Sequence, residues 1–151
     1  MAADDCDLVL VLLDEHRALE RQTELVMSGG GGEAGRLLAE LLTEMCRYGR
    51  MVEGHLDPLV RRYLPDGAER ADAHLGEYVE VERMVTELRR HGLGDARCAD
   101  LLGPLISRLR RHLAEEEQTL LPSLRRHAPA EVLRQRGMLA VRRACAPAVV
   151  H

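Results

Sequence analysis

The chain contains no lysine, no tryptophan and no phenylalanine. Without lysine there is no Schiff-base nucleophile and no Walker-type phosphate lysine, which excludes whole classes of enzyme chemistry. The aromatic residues reduce to Tyr48, Tyr63 and Tyr78, so the position of each is informative. Cys6, Cys46, Cys98 and Cys145 stand far apart with no CxxC pair, which argues against a zinc knuckle or a dense disulfide framework and reads as reduced thiols. No apolar run approaches the roughly 20 residues of a membrane span. The acidic start, Asp4, Asp5 and Asp7, lacks the positive region of a secretory signal. A basic surplus is missing too: 21 arginines face 25 acidic residues for a net charge of −4, the wrong balance for a general nucleic-acid binder. These absences predict a cytoplasmic protein with neither nucleic acid nor a membrane as partner.

At 151 residues the chain is the size of one domain with a core of its own. Apolar residues recur at helical spacing. From Leu8 to Met27 they fall at Val9, Leu12, Leu13, Leu19, Thr23 and Val26, with Asp5 or Asp7 as N-cap and the Gly29 to Gly32 run as terminator. A second stripe runs from Leu38 through Tyr48, Val52 and Leu56 to Tyr63, where Pro65-Asp66-Gly67 makes a turn. A third passes through Leu75, Tyr78, Val79, Val85 and Leu88 and stops at Gly92-Leu93-Gly94. The fourth runs from Cys98 to His127, and a shorter fifth from Ala130 to Ala144 follows Pro129. Strand patterns are lacking. The reading is an all-α, single-domain protein spanning 1–151: an up-down-up-down four-helix bundle over about 7–127 with a short C-terminal fifth helix as an appendage.

Sliding the chain over itself by 64 residues pairs Arg47 with Arg111, Glu53 with Glu117, Leu56 with Leu120, Pro58 with Pro122 and Pro65 with Pro129. A proline inside both helices makes chance agreement a poor explanation. A weaker match at an offset of 62 pairs Leu13 with Leu75, Glu15 with Glu77 and Glu20 with Glu82. The bundle therefore reads as a duplicated helical hairpin. Within the repeat each tyrosine faces a histidine: His16 aligns with Tyr78, Tyr48 with His112, and Tyr63 with His127. His16, Tyr48, Tyr78 and His112 then come one from each helix, with carboxylates four residues on at Glu20, Glu82 and Glu116 and with Val52 breaking the pattern. Facing helices that each offer a ligand are how bundles hold a dimetal centre.

The segment His112-Leu-Ala-Glu115-Glu116-Glu117-Gln-Thr-Leu-Leu-Pro122, with Asp14-Glu15-His16-Arg17 in the first helix, resembles the hemerythrin-like, or HHE, family over about residues 7–127. The resemblance implies a four-helix bundle holding one or two non-haem iron ions that meet O2, peroxide or nitric oxide; a two-iron version could carry a bridging oxo or hydroxo group. By position it assigns His16, His112 and Glu116 as ligands and expects histidine at Tyr48 and Tyr78 and glutamate at Val52. His74, one turn before Tyr78, reproduces the spacing of two third-helix ligands in oxygen-carrying hemerythrins.

His55 lies two turns beyond Tyr48, and in antiparallel helices both it and His74 are displaced toward the Pro65 turn. A rebuilt metal site would then comprise His16, His55, His74, Tyr78, His112 and Glu116, with Tyr48 as a further candidate. Core tyrosines ordinarily bury a ring and hydrogen-bond the hydroxyl, but phenolate is also a hard donor suited to Fe(III), and a bound cation lowers the phenol's pKa. Glu20, Glu82, Glu115 and Glu117 read as solvated charges, and His91, His127 and His151 as surface or terminal residues. Glu53, five residues after Tyr48, replaces the missing carboxylate only if the helix is locally distorted. The rival to an iron protein is a metal-free, degenerate bundle acting as a scaffold or small-ligand binding module. Enzyme activity, if present, would be that of a non-haem iron oxidoreductase consuming peroxide or activating oxygen.

Overall fold

A computed structural model describes residues 6–29, 31–92 and 96–145, and the described residues contain helices and turns but no strand. Asp5, Leu93, Gly94 and His151 lie outside the described residues, as does the side chain of Cys145. Helix α1 (Leu8–Met27) starts on Asp7, whose side chain accepts the Leu10 N–H at 2.9 Å, and closes on Ser28. After a 3-10 turn at Gly31–Glu33 comes α2 (Ala34–Met51). A tight hairpin joins α3 (Asp57–Tyr63) to α4 (Gly67–His91). There Asp66 adopts a left-handed φ of 53°, and a Cβ at Gly67 would lie 2.3 Å from the Val60 carbonyl, so glycine is required. The remaining helices are α5 (Ala96–Glu115), α6 (Leu121–His127) and α7 (Ala130–Cys145).

The second and fourth stripes, expected as unbroken helices, are each interrupted by one wide turn. A π-turn at Val52–Leu56 joins α2 to α3, and another at Glu116–Leu120 joins α5 to α6. In the first the Asp57 N–H reaches the Val52 carbonyl, and in the second the Leu121 N–H reaches the Glu116 carbonyl, five residues back in both cases. A proline follows each, Pro58 and Pro122, whereas Pro104 lies inside α5 without such a turn. Proline has no N–H for the carbonyl four residues back, and its ring crowds that carbonyl; widening the preceding turn relieves both. The two π-turns stand 64 residues apart, the same offset as the sequence repeat.

With no phenylalanine or tryptophan the core is built of leucine, with Leu8, Leu12, Leu19, Leu41, Leu42, Leu56, Leu105 and Leu124 fully buried around Tyr48. The third stripe needs a correction. Val79 is 66% exposed, and the buried face of α4 is instead Ala71, Tyr78, Val81, Val85 and Leu88. At about 100° per residue, Val79 is turned away from Tyr78, whereas Val81 and Val85 return to its face. Helix α1 packs on α2, α5 and α7, and α4 packs on α2, α3 and α5. The fifth helix is therefore a packed element rather than an appendage. At Gly137 it comes so close to α1 that a Cβ would sit 2.7 Å from the Asp7 carbonyl carbon and 2.8 Å from the Leu8 nitrogen.

That approach predicts opposite outcomes for two helical glycines. Gly137→Ala should cost about 1–3 kcal/mol, since rigid backbone must move. Gly76→Ala, where nothing lies within 4 Å of the new methyl, should add about 0.5–1 kcal/mol. Urea unfolding of the two variants measures both; equal effects would contradict the packing of α7 on α1.

Candidate metal centre

Four helical rods converge on one carboxylate. Glu116, the first residue of the second π-turn, is 1% exposed. Its Oε2 accepts the Tyr48 hydroxyl at 2.6 Å and lies 3.0 Å from His16 Nε2. Its Oε1 accepts the Tyr78 hydroxyl at 2.8 Å and lies 3.0 Å from both His74 Nε2 and His112 Nε2. His16 comes from the middle of α1, Tyr48 from the end of α2, His74 and Tyr78 from successive turns of α4, and His112 from the last turn of α5. The rings pack tightly: His74 stacks on His112 with centroids 4.9 Å apart, and Tyr78 meets His112 edge-on at 4.4 Å.

The far nitrogens of two histidines are held by further carboxylates. His16 Nδ1 donates to Glu117 Oε1 at 2.8 Å, and His74 Nδ1 donates to Asp57 Oδ1 at 2.7 Å. With those protons on Nδ1, each ring turns the lone pair of Nε2 inward, that of His74 toward Glu116 Oε1 and that of His16 toward Glu116 Oε2 and the Tyr48 hydroxyl, which lies 2.6 Å from it. A lone pair facing a carboxylate oxygen is repulsive unless a proton or a metal cation lies between them. Without metal, the site draws in protons. Burial lowers the affinity of His74 for a proton, but Asp57 and Glu116 outweigh it and raise its pKa from 6.5 to about 9. His16 is likewise depressed by burial and raised on balance by Glu116 and Glu117. Burial pushes Glu116 up, yet His112, His16 and His74 together hold it well below the usual carboxylate range. Burial first, then Tyr78 and Glu116 for Tyr48, and Glu116 for Tyr78 against an opposing hydrogen bond with Tyr48, keep both phenols protonated well above the ordinary value.

The donor set fits a cation. Ligand atoms of His74, His112 and Glu116 all lie within 4.8 Å of one another. Two donors held at right angles about 2.0–2.2 Å from an ion stand about 3 Å apart, which is the spacing of Glu116 Oε1 from both Nε2 atoms. The Nε2 of His112 is buried, lies 3.0 Å from Oε1 and makes no well-directed hydrogen bond. A cavity of about 280 Å³ opens onto this side of the carboxylate, lined by His74, His112 and Glu116 together with Arg70, Thr119 and the buried Leu120.

Of the sequence candidates, His16, Tyr48, His74, Tyr78 and His112 surround Glu116. His55 is buried on the first π-turn and is not a member of the His74, His112 and Glu116 group. Val52 is a fully buried aliphatic residue at the repeat position of Glu116. The local distortion that Glu53 required is present, but its side chain is exposed. Glu20 is solvated and pairs with Arg110 at 2.8 Å, and Glu82 and Glu115 are exposed. Glu117 departs from its expectation as a plain surface charge: it is 46% exposed but holds His16. Asp57 was not a candidate at all; its only trace in the sequence is a carboxylate at the repeat position of Leu121, directly before Pro58.

A family model, the hemerythrin HHE cation-binding domain, matches residues 7–124. No curated protein and no solved structure matches the chain.

The proton uptake of the metal-free site predicts a pH dependence. His74 binds its proton more tightly folded than unfolded, so the stabilisation is complete below pH 6.5 and is lost as pH rises through about 9. Urea unfolding of metal-free protein should lose on the order of 3 kcal/mol across that window. Asp57→Asn, which removes one of the two charges responsible, should flatten the profile. A wild-type curve that is level over this range would contradict the Asp57–His74–Glu116 arrangement.

Proposed function

The chain belongs to the hemerythrin HHE cation-binding domain family, and from that premise we propose that it binds one or two non-haem iron ions between its helices and uses them to bind or react with O2, peroxide or nitric oxide. The observation that carries this reading is the division of Glu116. One oxygen faces two histidines and Tyr78, and the other faces His16 and Tyr48. A carboxylate shared between two donor groups suits two ions. The groups are unequal, however: two histidines and one carboxylate make a complete facial set of the kind that binds non-haem Fe(II) with positions left open, while the other side offers one histidine.

Bound iron would supply the Lewis acidity and one-electron redox chemistry that no side chain here possesses. The protein's part is positional and electrostatic. Asp57 and Glu117 hold two imidazoles with their Nε2 lone pairs inward. Tyr48 and Tyr78 donate hydroxyl protons to Glu116, limiting the charge that one buried carboxylate must carry, and loss of either proton would turn that residue into an anionic oxygen donor favouring Fe(III). The cavity admits ligands from the α4 and α5 side. At about 280 Å³ against the roughly 30 Å³ that a water occupies in the liquid, it does not screen the centre from solvent. Together with the tyrosines this favours peroxide consumption or oxygen activation over protected carriage of a diatomic gas.

The side-chain pairs support an up-down-up-down order for the bundle. Helix α1 meets the α5–α6 rod in reverse register, Asp7 with Arg125, His16 with Glu116 and Glu20 with Arg110. Helix α4 does the same against that rod, Arg70 with Ser123 and Glu77 with Arg108, and against the α2–α3 rod, Arg61 with Asp72 and Tyr48 with Tyr78. No described helix is long and apolar enough to cross a membrane.

The metal-free scaffold has one observation in its favour: both Glu116 oxygens already accept hydroxyl protons. Metal analysis after expression in iron-supplemented medium separates the two. Wild-type protein should retain iron, and His112→Ala should lose most of it. If Tyr48 or Tyr78 ligates Fe(III), the protein should be coloured, and Tyr→Phe at that position should remove the band with the fold intact. Unchanged spectra in both Phe variants would leave the tyrosines as donors to Glu116. Iron-free wild-type protein would end the metal reading.

A further inference from the structure

The α2–α3 rod has no carboxylate aimed at Glu116, since Val52 is aliphatic and Glu53 is exposed. It nevertheless buries one. Asp57, the first residue of α3, is 2% exposed; its Oδ1 accepts the His74 Nδ1 proton at 2.7 Å, and its Oδ2 is buried without a hydrogen-bond partner. Burying a carboxylate costs several kcal/mol unless it is paired. Leucine, which stands at the equivalent place in the repeat as Leu121, would fill the space at no such cost. Packing alone does not account for an aspartate here.

Its direction is set by the π-turn. In an unbroken helix a residue nine positions after Tyr48 points roughly 180° away from it, and one extra residue in the turn brings that to roughly 80°. The wide turn thus swings Asp57 from the far side of the rod toward α4, where His74 waits. The ring between them is clamped at both ends, with Asp57 on Nδ1 and Glu116 Oε1 3.0 Å from Nε2.

We propose that Asp57 is a positioning residue that supplies this rod's carboxylate to the metal centre through His74, making the His74, His112 and Glu116 side the first and tighter cation site. The proposal rests on the metal-binding reading above. The hydrogen bond fixes the ring's rotation and keeps the proton on Nδ1, so the Nε2 lone pair faces the space shared with His112 and Glu116. The negative charge behind the ring strengthens it as a donor. On the other side Glu117 does the same for His16, but it is 46% exposed, so its charge is screened by solvent, and only one histidine is there to be helped.

Cobalt(II) titration of the full chain tests this, because its visible bands report coordination and competition with a chelator reports affinity. Asp57→Asn keeps an acceptor and loses the charge; Asp57→Ala loses both. Affinity for the first ion should fall in the order wild type, Asn, Ala, with Ala weaker by about 10–100-fold. The bands of the first-bound ion should shift, and the number of ions bound at saturation should be unchanged. Glu117→Gln, whose carboxylate backs His16 on the other side, should lower the first ion's affinity less than Asp57→Asn does. Three results overturn the proposal: wild-type affinity in Asp57→Ala, loss of an ion at saturation, which would make Asp57 a ligand in its own right, or a larger effect from Glu117→Gln. Failure of wild-type protein to take up cobalt would instead remove the metal-binding reading from beneath it. If Asp57→Ala does not fold, the Asn variant alone carries the comparison.

Discussion

A single carboxylate, buried at the crossing of four helical rods, constrains everything around it. An ionised group at 1% exposure survives only if its neighbours replace the water it has lost. Glu116 has five such neighbours, drawn from α1, α2, α4 and α5, and none of these rods can slide by a turn without stripping one away. The leucine core is permissive in comparison, because aliphatic side chains of similar volume pack in many arrangements. Register in this bundle is thus a property of the polar centre more than of the apolar shell. The same contacts tie protonation, metal occupancy and stability together, since a proton or a metal ion can each relieve the crowding of lone pairs between Glu116 and the imidazoles.

The two prolines act on this centre from outside it. Each follows a wide turn in a long helix, and the repeat has used the two turns differently. In one rod the turn begins on Glu116 itself and puts adjacent carboxylates to separate tasks, Glu116 at the centre and Glu117 behind His16. In the other, the equivalent position is Val52, and the carboxylate comes five residues later as Asp57, behind His74. Both rods therefore contribute negative charge, one directly and one through an imidazole. The half-centres start from a common backbone and end with different donor strengths.

How much of this was legible in the sequence depends on which period each feature obeys. Helices with an intact stripe of 3.6 residues were readable from it, and His16, His112 and Glu116 were readable because the repeat and the His-xxx-Glu spacing agree. Tyr48 and Tyr78 stood out only because the chain is so poor in aromatics. The stripe misplaced Val79 by treating an apolar residue beside Tyr78 as part of the same face. Asp57 and the inward role of Glu117 were invisible for another reason: a π-turn inserts a residue into the period, so facing assignments extrapolated through it are rotated by about 100°. The prolines at Pro58 and Pro122 are the trace such a turn leaves in sequence, and they identify where extrapolation should stop.

The unequal surroundings of the two Glu116 oxygens also divide what each side can do. The cavity reaches His74 and His112, whereas His16 and Tyr48, at 3% and 1% exposure, do not line it. An incoming ligand therefore meets the side with more nitrogen donors, the side whose histidine is backed by a fully desolvated aspartate. The closed side holds the shortest hydroxyl-to-carboxylate contact of the centre, Tyr48 to Oε2 at 2.6 Å, where a proton is kept away from water and next to a group able to take it. On the proposed metal-binding reading, ligand exchange at one oxygen of Glu116 and proton retention at the other would be linked through three atoms of one carboxylate. A change in charge at Oε1 would act on the Tyr48 hydroxyl through the one carboxylate that both sides share.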